Sequence, residues 1–391
     1  TMMWLFELRA ATVGFTQASP DILQIGGSHL PVDLPHIVLP FSQGEIIHYH
    51  GYPYEEHEVV TDDGYYLTMQ RVPHGRDNPE TPKPVVLLQH GLVLEGSSWF
   101  TNLPNSSLGF ILADAGYDVW IGNSRGSSWS QKHKEFEFHQ HEYSNYSFHE
   151  MAMYDLPATI NYILQKTGQE QLYYVAHSQG TTTGFIAFSS IPELDRKIKM
   201  FFALAPITTS SNVKSPLARV IPWELLSLLK EALQHPSCYC LQREFTWHVD
   251  ELCLFLAGFL SKQRINVSNG FLQSRIDVYL SRYPDSTSIK NVLHWRQVIF
   301  PAVFLPQATL FVLQTTPPFY ELENMKAPLA AWYGGNDWIS APEDVNITLP
   351  RITNVAYKKY IPEFVHFDFL WGMQAYEQVY REILDLMERS T

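Results

Sequence analysis

Short, nearly unbroken apolar runs alternate with stretches of helical periodicity along most of the chain. The runs lie at 85–88, 117–121, 172–175 and 200–204, then at 329–333 and 354–357. A strand wetted on one face alternates apolar and polar residues, so continuous runs predict strands covered on both faces. Between them, 107–115, 151–165, 179–190 and 375–388 carry helical spacing. Ahead of them, 57–69 reads as two strands joined by an Asp63-Gly64 turn. Strand–helix alternation of this kind predicts an α/β architecture, a mostly parallel central sheet flanked by helices with right-handed crossovers. The alternation stops between 207 and 325, where Leu217, Val220, Ile221, Leu225, Leu226, Leu228, Leu229 and Leu233 follow mainly helical spacing. An insertion of that length between two strands is expected to form a helical cap or lid over the C-terminal sheet edge, where α/β sites sit. The Pro- and Gly-rich residues 1–43 lack periodicity and read as a poorly ordered leader. The expected organisation is therefore a leader at 1–43, a core at 44–206 and 326–391, and a cap at 207–325.

Composition narrows the function. The chain has 391 residues, 45% hydrophobic and 17% charged, enough apolar material for a large core. Its net charge of −13 argues against nucleic acid, which is bound by Lys and Arg displacing counterions from phosphates. No apolar stretch reaches the roughly 18 residues of a transmembrane helix. Met2 to Phe6 starts like a signal peptide, but Glu7 and Arg9 interrupt its apolar run. Sequons at Asn105, Asn145, Asn266 and Asn346 favour a secretory route, secreted or lysosomal, with Asn105 and Asn266 as the glycan candidates. Three cysteines allow at most one bridge, from Cys238 or Cys240 to Cys253; three buried thiols is the alternative reading. His133, His139, His141 and His149 match no compact ligand set, so no metal is expected.

The sharpest chemical signal is Ala176-His177-Ser178-Gln179-Gly180. A buried strand ends at Ser178 and a helix begins at once, the context of a nucleophile elbow. Residues two positions either side of the serine must be small; Gly180 is, and Ala176 departs from glycine by one methyl. Such a serine needs a base, and the base needs an acid to orient it. In this arrangement acid and base follow later strands, which points to Asp337 and His366. Asp344 and Asp368 compete as acids, His294 and His177 as bases. Asp344 looks like a helix-start charge, and His177 should point away from the reaction. Backbone N–H groups of Gln179 and of Leu92, after His90-Gly91, are the expected oxyanion donors.

The blocks at 88–92, 102–120 and 122–126, with 154–160 and 177–182, resemble the acid lipases, the group that includes the gastric, lysosomal and epidermal lipases. The resemblance runs from about Ile46 to Met387. It implies an α/β-hydrolase fold with Ser178 as nucleophile, Asp337 as acid, His366 as base, and Leu92 and Gln179 in the oxyanion hole. It also implies a cofactor-free lipase that cleaves triacylglycerol or related long-chain esters at a lipid–water interface. The family's closely spaced cap cysteines are only partly matched by Cys238, Cys240 and Cys253, with Cys240–Cys253 as the candidate bridge. The sequence departs from the family pattern at Ala176 and at 298–316, which is shorter and more apolar. A soluble carboxylesterase and a non-catalytic lipid-binding homologue are the alternatives.

Overall fold

The computed structural model describes residues 42–76, 83–214, 278–279, 282–299 and 320–390. All of them belong to the compact unit Pro40–Thr391. The Leu-rich stretch at 217–233, Cys238, Cys240, Cys253, Asn266 and nearly all of 298–316 lie outside the described residues.

In chain order the strands are β1 Glu55–Val60, β2 Tyr65–Val72, β3 Val85–Gln89, β4 Asp118–Gly122, β5 Lys132–His133, β6 Leu172–His177, β7 Ile198–Leu204, β8 Leu329–Gly334 and β9 Val355–Ile361. Among the described residues they form one nine-stranded sheet in the order β1-β2-β4-β3-β6-β7-β8-β9, with β5 beside β2. The first strands pair antiparallel, and every pairing from β4 through β3 to β9 is parallel. The main helices are α1 Gln43–Tyr49, α2 Leu108–Asp114, α3 Leu156–Thr167, α4 Gln179–Ser190, α5 Ile289–Ile299, α6 Pro342–Thr348, α7 Asp368–Trp371 and α8 Arg381–Arg389. A π-helical turn, Met151–Asp155, leads into α3, and another, Tyr376–Tyr380, leads into α8.

The apolar runs are continuous because each strand feeds two cores. Val86, Leu88, Tyr173, Val175, Phe202, Leu204, Ala330 and Trp332 pack with α2 and α8 on one face. Their alternate neighbours Val85, Leu87, Tyr174, Ala176, Phe201, Ala203, Leu329 and Ala331 pack with α3 and α4 on the other. Each large apolar side chain buried this way contributes about 1.5–3 kcal/mol, as an upper estimate. The edge strand β9 behaves differently: it alternates half-buried and exposed residues, and Lys359 donates to Gln378 O and Glu382 Oε1, each at 2.8 Å. The chain order reverses around β3, which has β4 on one side and β6 on the other. Crevices outside the C-terminal strand ends at such a switch point are where α/β proteins bind ligands.

Candidate active site

β6 delivers Ser178 to the C-terminal edge of the sheet, and α4 starts at the next residue. Ser178 takes φ 52° and ψ −122°, a conformation rarely tolerated by a residue with a side chain. Surrounding bonds hold it there. Its N–H donates to Leu204 O at 3.1 Å, and its carbonyl accepts from Thr181 N at 2.8 Å and Thr181 Oγ1 at 2.6 Å. The following turn is tight enough that a Cβ at Gly180 would lie 2.7 Å from the carbonyl oxygens of both Gln89 and His90. Ala176 is fully buried and its methyl joins the core beside Leu87 and Ala203.

The turns after β8 and β9 are joined by Gly335 N to Ile361 O at 2.9 Å and Asn336 N to Phe364 O at 3.1 Å. They carry Asp337 and His366. His366 Nε2 lies 2.8 Å from Ser178 Oγ, and His366 Nδ1 lies 2.8 Å from Asp337 Oδ2. An ionised carboxylate only accepts, so Nδ1 carries the proton and a neutral ring leaves Nε2 free to accept from the serine hydroxyl. Asp337 Oδ1 accepts from the N–H groups of Ile339 and Ser340, both at 2.8 Å. Ser178, Asp337 and His366 are all buried.

The other candidates sit elsewhere. Asp344 accepts from Asn212 N and Nδ2 at 3.0 and 2.8 Å. Asp368 accepts from Val365 N at 2.8 Å, and burial, reinforced by repulsion from Asp337 and Glu363, pushes its carboxyl up to about 7. His294 Nδ1 pairs with Ser147 Oγ at 3.0 Å. His177 donates from Nε2 to the main-chain oxygen of His366 at 2.8 Å. Burial, with the neighbouring His366 ring, holds its pKa well below the usual histidine range, so it braces the loop as a neutral donor.

The loop after β3 presses on Ser178, since a Cβ at Gly91 would lie 2.9 Å from Ser178 Cβ. His90 is fixed behind it: Ser124 N–H donates to Nε2 at 3.0 Å, so Nδ1 carries the proton and donates to Gly91 O at 2.8 Å. Gly91 and Gln179 thus flank Ser178 on two chain segments, and the Gln179 N–H, first in its helix, is one of the four such groups without an intrahelical acceptor. Among the described residues, the non-glycine positions with positive φ are Val93, Ser178 and Ala205. Each follows the end of a central strand, so backbone strain concentrates along this rim. Two more residues reach Gln179: Asn291 and Trp295 of α5, both on its side-chain oxygen. Nothing in the sequence marked them.

A hydroxyl, an imidazole and a carboxylate in one hydrogen-bonded line, beside main-chain N–H groups, can carry out acyl transfer. No cluster of three potential metal ligands occurs among the described residues, and His133 and His149 instead pair with Asp63 O and Tyr320 Oη. None of the described helices is long and apolar enough to cross a membrane.

The family model described as alpha/beta hydrolase fold matches residues 84–373, and that described as partial alpha/beta-hydrolase lipase region matches 44–103. Human lysosomal acid lipase/cholesteryl ester hydrolase is 46% identical, the match covering 88% of this chain and 90% of that protein. Rat gastric triacylglycerol lipase is 45% identical over 98% and 99% of the two chains. Among solved structures, an epoxide hydrolase from Vigna radiata superposes with a TM-score of 0.51 at 17% identity, over 86% of this chain and 98% of that one. That likeness concerns the fold alone.

Proposed function

The chain belongs to the alpha/beta hydrolase fold family, and within it to the acid lipases; from that premise we propose that this lipase works through Ser178, His366 and Asp337 on long-chain esters of neutral lipids, triacylglycerol among them. The observation that carries the reading is the line of 2.8 Å contacts from Ser178 Oγ through His366 to Asp337. Ser178 Oγ attacks the ester carbonyl while His366 Nε2 takes the hydroxyl proton, and Asp337 stabilises the imidazolium. The N–H groups of Leu92 and Gln179 receive the developing oxyanion, a service in which one lost donor costs about 3 kcal/mol. Collapse breaks the ester C–O bond, and His366 returns the proton to the leaving alcohol. Water, deprotonated by His366, then attacks the acyl-enzyme, releasing the fatty acid and restoring Ser178. No step calls for a cofactor.

The inserted segment 207–325 supplies the cap in this reading, and its apolar residues accept acyl chains at about 0.8 kcal/mol per buried CH₂. The names of the relatives and the exposed sequon residues Asn105, Asn145 and Asn346 support a secretory route. A rate measurement across the solubility limit of a triacylglycerol tests the substrate class. The expected result is a rise in rate when the ester becomes emulsified and complete loss in a folded Ser178→Ala variant. A rate indifferent to emulsification would make the protein a soluble esterase, and wild-type protein that binds but never cleaves lipid would make it a binding homologue.

A further inference from the structure

One arm of the inserted segment, 282–299, touches both the loop after β3 and the first residue of α4. Asp285 N–H donates to Val93 O at 2.8 Å. Val93 follows Leu92 and has φ 52°, a strained value for a β-branched residue that persists only where the surroundings enforce it. Farther along, the Gln179 side-chain oxygen accepts from Asn291 Nδ2 at 2.9 Å and Trp295 Nε1 at 2.6 Å. Gln179 and Asn291 are fully buried and Trp295 nearly so, so water does not compete for these bonds. The arm is itself anchored: Asn291 Oδ1 accepts from Phe148 N at 2.8 Å, and the Asp285 carboxylate accepts from Ser128 N at 3.0 Å and Ser128 Oγ at 2.5 Å. Trp295 packs on Phe148, ring centroids 4.9 Å apart.

Leu92 lies in the loop after β3 and Gln179 opens α4 after β6, so the distance between their N–H groups depends on how two separate segments are held. We propose that this arm sets that distance: Asp285 through Val93, and Asn291 with Trp295 through the Gln179 side chain, are positioning elements of the oxyanion hole. The inference rests on the catalytic reading above. Oxyanion donors act only when held in place beforehand, and a misplacement near 1 Å is enough to lose on the order of 100-fold in rate. A glutamine after the nucleophile therefore serves twice, its main chain toward substrate and its side chain toward the arm.

Trp295→Phe deletes one donor and keeps the ring against Phe148. With a dissolved ester, kcat should fall on the order of tenfold while KM stays within about twofold. Affinity for an alkylboronic acid, which adds to the serine as a tetrahedral anion, should fall by the same factor. In a Gln179→Leu background the same substitution should add no further loss, because the anchor is already gone. Wild-type kcat and boronate affinity in Trp295→Phe would overturn the proposal, as would a kcat loss without a boronate loss. Should that variant not fold, Asn291→Ser gives the same two readouts with the same consequences. Wild-type protein that neither cleaves ester nor binds boronate would instead refute the underlying catalytic reading.

Discussion

The turn after β8 and the start of α7, which follows β9, each bury an aspartate, and the fold gives the two different partners. Asp337 has an imidazole on one oxygen and two main-chain N–H groups on the other. Asp368 has one main-chain N–H at 2.8 Å, and burial beside Asp337 and Glu363 pushes it up to about 7. At Asp368 burial and two neighbouring carboxylates favour the neutral acid, whereas Asp337 meets three donors. Partner count therefore separates the carboxylate that can orient a histidine from the one that spends acidic pH protonated.

The largest effect expected from this contrast is at Asp337. Asp337→Asn leaves the shape but offers His366 a partner that no longer demands a proton on Nδ1. By analogy with triads elsewhere, kcat should fall about 10⁴-fold. A near wild-type rate would transfer the orienting role to Asp368 or Asp344. Asp368→Asn is expected to keep most of the activity and to act on stability instead. In the folded protein this carboxyl binds its proton more tightly than in the unfolded chain, so stability is fully present below about pH 4 and declines as pH rises through about 7. The decline is at most roughly 4 kcal/mol. Asn keeps an oxygen for the Val365 N–H and removes the charge, so the melting temperature of the variant minus that of wild type should climb between pH 4 and 7. A difference independent of pH would show that Asp368 is not held protonated. The buried His294, lowered to about 4 mainly by burial, has the opposite sign: its contribution is present above about 6.5 and is lost as pH falls toward 4. It shifts both proteins equally and drops out of the difference.

Much of the core could be read in the sequence for a local reason. Where both faces of a strand are buried nearly every residue is apolar, so the runs ending at Leu88, Val175, Leu204 and Tyr333 announce themselves. β9 runs on to Ile361 where the apolar run suggests a stop at 357, because an edge strand places Lys358 and Lys359 within it. At the other end, the Ser42-Gln43-Gly44-Glu45 capping box opens α1, so the helix begins inside the stretch expected to be leader. That signal was present and was outweighed by the Pro and Gly before it. The sequence pointed to Asp337 but kept Asp344 and Asp368 as competitors, because turn composition alone does not say which carboxylate meets the imidazole. Asn291 and Trp295 were invisible for a stronger reason. Their partner lies 112 and 116 residues away, on an element with which they share no periodicity.

The central claim is that the hydroxyl at the strained bend after β6 forms the covalent bond to the acyl group. A lipid-like fluorophosphonate reacts with an activated serine and leaves a stable adduct that peptide mass spectrometry can locate. The adduct should fall on Ser178 and vanish in Ser178→Ala. Labelling of another residue at the wild-type rate, or none in protein that hydrolyses ester, would contradict the account.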